Sequence, residues 1–334
     1  LFGRVHYEGY AGPGWMWQST GGSEAFEPKF SLTPLAYGTL KGTFYSLLFA
    51  LPLGILGAVY TSQFMHPALQ RLVKPAVEIM AGLPSVVVGF LAGLWLAPHV
   101  ARHLPGLVVM GLLLPALVLL AAWVWHSLPA RFRDPRLMGW EGVLLLPVLA
   151  GGMWLSLRLG TALEAALFAG DFRLWLYEYR GVTYDVRNSI VVGIAMGFAV
   201  IPIIFGISED ALAGVPRDLI AGSLALGATP WRTVVGVVVP TALPGIISAV
   251  VIGIGRAVGE TMIVLMATGN TAVMNLSAFT GFRALSANIA VEMPEAPVGG
   301  TLYRVLFASA LLLFAFTFTL NTAGELVRLR MQRR

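Results

Sequence analysis

The stretch Thr241–Thr268 places charged residues inside a segment that is long and apolar enough to cross a lipid bilayer. It reads TALPGIISAVVIGIGRAVGETMIVLMAT, and roughly 20 apolar residues suffice for one crossing. Arg256 and Glu260 lie near its middle, where one charge costs about 2.5–3.5 kcal/mol even on the most lenient insertion scale. Such residues must therefore be paired with each other or face a water-filled cavity.

Arg256 and Glu260 are four positions apart, so they share one face of a helix. The glycines around them permit close approach of a second backbone or of a solute. The residues alone leave two interpretations open: a solute pathway that contains an anion-attracting group, or a structural ion pair between packed helices. Thr261 and Asn270 are polar neighbours and further candidate pathway residues, although a threonine hydroxyl also bonds readily to its own helix backbone.

The composition indicates a polytopic membrane protein. Of 334 residues, 57% are hydrophobic and only 12% are charged, and the mean hydropathy is +0.78, whereas soluble domains carry about 25% charged residues. Long apolar runs predict an all-α fold rather than a β-barrel. The net charge of +5 reflects membrane topology and does not indicate nucleic-acid binding. With no cysteine and no metal-spaced histidine cluster, neither a metal site nor another cofactor is expected.

Seven apolar segments, labelled A to G, predict seven membrane-crossing helices. Proline interrupts segment B at Gly82–Pro84, which predicts a kink. Met65–Ala76 and Gly269–Gly300 are expected to be loops, and Glu164–Arg187 to hold a short amphipathic helix. The predicted helices are A, Thr39–Gln63; B, Val77–Ala97; C, Leu107–His126; D, Gly142–Leu163; E, Asn188–Ser208; F, Thr241–Thr268; and G, Thr301–Leu326.

Basic residues predict the orientation, because cytoplasmic loops carry an excess of Lys and Arg. A cytoplasmic C terminus makes the A–B, C–D and E–F loops cytoplasmic as well, and each of them contains basic residues, with Arg131, Arg133 and Arg136 in the C–D loop. The N-terminal segment then lies on the other side of the membrane. We expect it to be the remainder of a longer N-terminal region.

The loop between segments E and F, Glu209–Arg232, has the pattern of a docking surface. Glu209–Ala213 prolongs segment E, and the run Arg217–Leu226 is helical in character and is stopped by Gly227. Pro230 begins a further turn. We therefore expect two short helices at the membrane surface that dock a cytoplasmic partner; the alternative is an interfacial connector.

This loop resembles the EAA loop of ABC importer permeases. Its marks in this chain are Glu209, Asp210, Ala211, Gly227, Ala228, Pro240, Leu243 and Pro244. In that family the loop forms coupling helices that sit in a groove of a cytoplasmic ATPase. The resemblance implies ATPase-coupling roles for Glu209, Asp210, Ala211, Gly214, Arg217, Gly227, Ala228 and Pro230.

The match is closer to the phosphate-specific permeases, the PstC/PstA pair. The stretch GRAVGETMIVLMATGNT of this chain is similar to their signature. Three further stretches resemble the PstC type in particular, and they read GTFYSLLFALPLGILGAVYTSQF, VEIMAGLPSVVVGF and ALSANIAVEMPEA. The resemblance covers about 35–98 and 188–321. It implies a type I (MetI-like) permease bundle with segments C and D as two extra inserted helices.

The resemblance also implies a division of the chain. Residues 1–38 form an extracytoplasmic segment and 39–98 the first permease helices. An inserted two-helix segment with its loop occupies 99–187. The core permease region spans 188–327, with the coupling loop at 209–232 and the pore helix at 241–268, and 328–334 form a cytoplasmic tail.

The implied function is that of a multi-pass permease subunit of an ATP-driven importer of inorganic phosphate in the bacterial inner membrane. Arg256 would attract phosphate, and Glu260 would hold Arg256 or accept a hydrogen bond from the P–OH group. The implied partners are a PstA-like permease, two PstB-like ATPases, an extracytoplasmic phosphate-binding protein and membrane lipid. The chain has no P-loop motif, so ATP hydrolysis is assigned to a partner. The alternatives are a permease for another oxyanion or organic solute, and a phosphate-sensing or signalling subunit.

Overall fold

The computed structural model describes residues 1–6, 12–20, 27–127 and 141–332. Within these ranges, seven helices are long and apolar enough to cross a membrane. They are Thr33–Gln63, Ser85–Arg102, Leu104–Ser127, Gly142–Leu167, Ser189–Ala213, Pro230–Gly259 and Thr301–Arg330. The predicted all-α, polytopic fold class is confirmed. The basic residues predicted for the C–D loop lie outside the described residues.

Shorter elements join and subdivide these helices. A hairpin of β1 (Trp17–Gln18) and β2 (Lys29–Phe30) precedes the first helix. The helices are α1 (Thr33–Gln63), α2 (Pro67–Ala81), α3 (Ser85–Leu91), α4 (Ala97–Arg102), α5 (Leu104–Ser127), α6 (Glu141–Leu167), α7 (Phe172–Arg180), α8 (Ser189–Ala213), α9 (Arg217–Ala225), α10 (Pro230–Thr233), α11 (Val239–Gly259), α12 (Met262–Ala267), α13 (Leu285–Glu292) and α14 (Thr301–Gln332). Single π-helical turns, Ala92–Leu96 and Val234–Val238, join α3 to α4 and α10 to α11.

Segment B is not the kinked helix that the sequence predicted. Helix α2 occupies most of the expected loop, because Pro67 suits a first helical turn and the His66 ring accepts a hydrogen bond from the Ala68 N–H (3.2 Å). The chain then breaks at Gly82–Pro84, since the residue before a proline is pushed out of the helical region. The membrane-crossing helix begins only at Ser85.

Segment F also differs from its prediction at both ends. Upstream, α10, a π turn and α11 form one continuous helix from Pro230 to Gly259, so only α9 is a separate short helix in the coupling loop. Downstream, α11 ends at Gly259, and Glu260 has an extended backbone (φ −67°, ψ 127°). The predicted pore helix 241–268 is therefore interrupted at Glu260.

The remaining differences are extensions into predicted loops. Helix α1 begins at Thr33 rather than Thr39, with Pro34 in its first turn. The predicted loop Gly269–Gly300 contains α13, followed by a short 3-10 turn. Helix α14 continues to Gln332, so much of the predicted tail is helical. The short helix predicted within Glu164–Arg187 is confirmed as α7.

The centre of the bundle is built from α1, α8 and α11, with α3 and α12 packed beside them. Its buried residues include Ala50, Val192, Met196, Ile204 and Ile263. Gly193 permits close contact between α8 and α1, because a Cβ placed there would lie 2.9 Å from the Tyr45 backbone oxygen. This packing positions the C-terminal half of α11, which carries Arg256.

Helices α5 and α6 form a hairpin that packs mainly on itself. Its two ends approach at Gly106 and Gly160, where a Cβ on Gly160 would clash with the Gly106 backbone. The Gly142 N–H donates to the Tyr60 hydroxyl (2.9 Å) and ties the other end of the hairpin to α1. The apolar outer surface of α5 is not buried by the described chain.

Candidate anion pathway and coupling surface

The predicted charge pair forms at the end of α11. Arg256 Nη2 lies 3.8 Å from Glu260 Oε2, and the side chains of these residues are 49% and 7% exposed. That distance exceeds the limit of about 3.5 Å for an N–H···O hydrogen bond. The contact is therefore a loose ion pair in which the guanidinium keeps its directional donors available.

Glu260 has a second role that the sequence did not reveal. Its Oε1 accepts hydrogen bonds from the backbone N–H groups of Thr261 (3.2 Å) and Ile263 (3.4 Å). These donors belong to the first turn of α12, so the carboxylate caps that helix, where negative charge is favoured. The Glu260 carbonyl also accepts from the Ser286 hydroxyl (2.8 Å). One oxygen thus holds the helix start, and the other faces Arg256.

Arg256 borders a cavity between α11 and α14. Its volume is about 610 Å³, roughly twenty times the 30 Å³ that one water occupies in the liquid. The polar residues that line it are Ser248, Arg256, Asn321, Glu325 and Arg328. The cavity is large enough for an oxyanion together with part of its hydration shell.

Thr261 and Asn270 are engaged locally and do not line this cavity. The Thr261 hydroxyl donates to the Gly259 carbonyl (3.2 Å). Asn270 has a left-handed backbone (φ 50°), and its amide nitrogen donates to the Leu265 carbonyl (3.1 Å) at the end of α12. Their role in a solute pathway stays a prediction.

Sequence reasoning missed a buried cation, Lys41, in α1. It is 5% exposed, and its ammonium donates to Asn275 Oδ1 (3.0 Å) and Thr280 Oγ1 (3.1 Å). The contacts fasten the segment after α12 to the bundle. The signal was present, since Lys41 is the single charged residue of predicted helix A.

A second buried ion pair joins α13 to the segment before it. Arg283 Nη2 donates to Glu292 Oε1 (2.8 Å), and the same oxygen accepts from the Trp17 indole (2.9 Å). Burial lowers the pKa of Arg283 from its usual value, and the neighbouring Glu292 partly opposes that shift. The N-terminal hairpin is thereby connected to α13.

The predicted coupling residues lie at and beyond the end of α8. Glu209 is 4% exposed, and its Oε2 lies 2.8 Å from Lys74 Nζ of α2. Asp210 is exposed. Ala211 faces α11 so closely that a Cβ on Gly245 would clash with the Ala211 Cβ. Glu209 and Ala211 thus fix α8 against two neighbouring helices.

Gly214 and Gly227 bound the one separate helix of the coupling loop. The Gly214 N–H donates to the Asp210 carbonyl (2.9 Å), which closes α8. Arg217 begins α9, and Gly227 has a φ of 86°, in the region that glycine adopts without a steric penalty.

Beyond the turn, the chain returns to the bundle through α10. The Ala228 N–H donates to the Ser223 carbonyl (3.2 Å). Thr229 caps α10, which begins at Pro230. The Ser223 and Thr233 hydroxyls are 2.9 Å apart and link α9 to this helix.

The surface around α9, which we call the coupling surface, exposes large apolar side chains. None of the residues of α9 is buried. The coupling surface is formed by Leu219, Leu224, Leu226 and Trp231, of which Leu226 is 91% exposed. Contiguous exposed apolar groups rimmed by polar residues mark sites of protein–protein or membrane contact.

Within the described ranges, no group of three or more His, Asp and Glu residues could hold a metal ion. The candidate site consists instead of an arginine-lined cavity and an exposed apolar surface around α9. Together with the membrane-length helices, these features define a multi-pass membrane protein of the solute-permease class.

The chain belongs to the family of binding-protein-dependent transport system inner membrane components, whose model matches residues 50–334. Members of this family are the permease subunits of ABC transporters, which are not themselves enzymes.

Individual relatives have low sequence identity to this chain but align with most of its length. A probable ABC transporter permease protein, YqgH, of Bacillus subtilis is 27% identical over 87% of this chain and 70% of its own length. The phosphate transport system permease protein PstC of Mesorhizobium japonicum is 27% identical over 100% of this chain and 86% of its own. PstA 1 of Mycobacterium tuberculosis is 26% identical over 89% and 70%, respectively. A chain of the inward-facing MetNI methionine ABC transporter superposes with a TM-score of 0.45 at 18% identity, covering 90% of this chain and 94% of that one.

Proposed function

We propose that this chain is the permease subunit of an ATP-driven importer that carries inorganic phosphate into the cytoplasm. The observation that carries the proposal is the half-exposed Arg256, loosely paired with the buried Glu260 at the edge of a 610 Å³ cavity. A guanidinium with free donors suits a tetrahedral oxyanion. The phosphate permeases among the relatives support phosphate as the solute.

The two oxygens of Glu260 suggest how phosphate is distinguished from sulfate. Oε1 is committed to the N–H groups of α12, whereas Oε2 faces Arg256. Hydrogen phosphate brings both a negative charge for Arg256 and a P–OH donor for Oε2. Sulfate at neutral pH brings only the charge, so it would face the Glu260 carboxylate without a compensating hydrogen bond.

The proposal assigns the energy source to partner subunits. Two PstB-like ATPases would dock on the coupling surfaces of this chain and of a PstA-like permease. The exposed Leu226 and Trp231 are apolar side chains that a groove of the docked ATPase would bury. An extracytoplasmic phosphate-binding protein would deliver the solute on the side of the N-terminal hairpin.

The proposed location is the bacterial inner membrane, with the coupling surface in the cytoplasm. Lys74 and Arg217 lie at this end of the molecule, as the excess of basic residues in cytoplasmic loops requires. Membrane lipid would contact the outer apolar surfaces of the bundle.

Phosphate uptake by an Arg256→Gln variant, in cells with the complete partner set, tests the proposal. We expect uptake to fall by on the order of tenfold or more, because a charge-assisted hydrogen-bond donor to the anion is lost. Arg158→Gln is the matched control, since Arg158 is an arginine of α6 that does not line the cavity. Assembly of both variants is checked by co-purification of the partners.

Normal phosphate uptake by an assembled Arg256→Gln variant would contradict the proposed pathway. It would indicate that Arg256 and Glu260 form a structural ion pair. Uptake of a different oxyanion but not of phosphate by the unaltered complex would favour the alternative permease. Lost phosphate-dependent signalling with normal uptake would favour the sensing subunit.

A further inference from the structure

A second arginine, Arg328 of α14, lines the same cavity as Arg256. Two of its neighbours in α14, Asn321 and Glu325, line the cavity as well. The sequence predicted that Arg328 lies in a cytoplasmic tail, but the structure extends α14 past it. The cavity therefore has an arginine on each wall, one from α11 and one from α14.

The register between α11 and α14 places Arg328 nearer to the coupling surface than Arg256. A Cβ on Gly255 would lie 2.9 Å from Asn321 Oδ1, and Gly324 packs against Val251. The two helices are thus antiparallel here. Arg328 lies seven residues beyond Asn321, about 10 Å further along the axis at 1.5 Å per residue. The arginines are consequently arranged in series along the cavity.

The contacts of Arg328 leave donors free for a ligand. Its Nη2 lies 2.7 Å from Glu325 Oε1, an i,i+3 pair in which both side chains are partly exposed. Such pairs hold their partners weakly. The Arg328 Nε is buried and has no hydrogen-bond partner among the described residues. A buried donor without a partner is unfavourable, so a bound oxyanion would satisfy it.

Each arginine is accompanied by one carboxylate: Glu260 beside Arg256, and Glu325 beside Arg328. The pairing keeps the empty cavity close to neutral. An arriving anion can replace either carboxylate as the partner of its guanidinium, since both pairs are only partly buried. The two pairs are thus alike in composition and in having a partly exposed guanidinium, although Glu260 is buried and Glu325 is partly exposed.

We propose that Arg328 forms a second oxyanion site in series with Arg256, on the coupling-surface side of the pathway. The ligand class is a tetrahedral oxyanion of charge −1 to −2, and Asn321 supplies a further amide in the same cavity. Phosphate as that anion rests on the proposed function. Two successive sites divide the passage through the low-dielectric bundle into shorter steps.

The test compares Arg328→Gln, Arg328→Lys and Arg330→Gln in the complete importer reconstituted in liposomes. Arg330 is the matched control, because it is exposed on the same helix and does not line the cavity. Uptake of labelled inorganic phosphate and ATP hydrolysis stimulated by the binding protein are measured together. Arg256→Gln is included as the reference for the proposed function.

We expect Arg328→Gln to lower phosphate uptake by on the order of tenfold. Arg328→Lys should recover part of it, and Arg330→Gln should transport normally. Stimulated ATP hydrolysis should persist in Arg328→Gln, so transport per ATP falls. A purely structural role for Arg328 would lower both activities together and would overturn the proposal.

Two further outcomes separate this proposal from the proposed function. Loss of uptake in Arg256→Gln with normal uptake in Arg328→Gln overturns the second site and leaves the pathway at Arg256 intact. Normal uptake in both assembled variants overturns both proposals. Arg328→Gln that fails to assemble is replaced by Arg328→Lys, for which uptake and transport per ATP equal to the unaltered protein would count against the site.

Discussion

At the scale of single residues, Glu260 combines an electrostatic and a structural role. Oε2 faces Arg256, while Oε1 accepts two N–H groups at the start of α12. The charge pair was predictable because i,i+4 spacing is visible in the sequence. The cap was not, because it exists only where the helix stops at Gly259, and an apolar run gives no signal of that stop.

Glu260→Gln and Glu260→Ala should separate these roles. Glutamine keeps an oxygen that accepts from α12, so we expect normal assembly but weaker discrimination of phosphate from sulfate. Alanine also removes the cap, at a cost of about 0.5–2 kcal/mol. Competition of phosphate uptake by sulfate, together with thermal unfolding of the purified complex, measures both effects. Equal changes for the two anions in the glutamine variant would contradict the selectivity role.

Lys41 offers a second test at this scale. Lys41→Met keeps an apolar chain of similar length but removes the donor to Asn275 and Thr280. We expect faster hydrogen exchange in residues 271–281, with the core of α8 unchanged. Lys29→Met, in the β2 strand away from residues 271–281, is the control substitution. Unchanged exchange in that segment would show that the lysine does not fasten it.

At the scale of secondary-structure elements, hydropathy predicted all seven long helices, because a helix that crosses the membrane must be a long apolar run. Boundaries were less predictable. Segment B divided because Pro84 excludes a helical residue before it. Pro240 and Pro244 left the helix intact, although both lie within the continuous helix Pro230–Gly259. The π turn Val234–Val238 directly precedes Pro240, and such turns re-satisfy backbone groups that a proline frees. Proline therefore interrupted the helix at one position and was accommodated within a helix at the others.

The turn after α9 can be tested by adding one methyl group. Gly227 has a left-handed backbone (φ 86°), where alanine costs about 1–2 kcal/mol. We expect Gly227→Ala to disturb the coupling surface and reduce phosphate-dependent ATP hydrolysis. Gly222→Ala in α9 is the matched control, since its added Cβ meets no atom within 4 Å. Equal activity of the two variants would contradict a coupling role for the turn.

One ion pair joins α2 to α8, beside apolar contacts of Val73 and Val77. Lys74→Met would leave the buried Glu209 carboxylate without its partner at 2.8 Å. The lysine is itself 42% exposed, so we expect a moderate loss of about 1–3 kcal/mol in stability. Arg71→Met, on the same exposed helix, is the control. Thermal unfolding of both variants measures the difference, and equal values would show that the pair contributes nothing.

At the scale of the whole molecule, the bundle and the α5–α6 hairpin are separable in packing. Sequence resemblance predicted a two-helix insertion, since this region lacked the family motifs; its domain boundaries stay predictions. The sequence could not predict which surfaces the two helices contact, because neither helix has one distinctly apolar face. In the structure they contact chiefly each other.

Removing the hairpin should therefore leave the bundle assembled. Its ends meet at Gly106 and Gly160, so a short Gly/Ser linker in place of the residues between them can connect them and leaves the buried Leu104 in the core. Two crossings are lost together, which preserves the orientation of the rest. We expect partner co-purification and measurable phosphate uptake. Failure to assemble, with a scrambled-loop variant assembling normally, would show that the hairpin is part of the permease core.

The uninterrupted helix from Pro230 to Gly259 has a mechanical consequence. Its 30 residues span about 45 Å at 1.5 Å per residue. One end begins at the surface where a partner would dock, and the other carries Arg256. A tilt of roughly 10° about one end displaces the other by about 8 Å over that length. A small tilt of this helix at the docking end would therefore displace the end that carries Arg256. That displacement is large enough to open or close the passage beside the arginine.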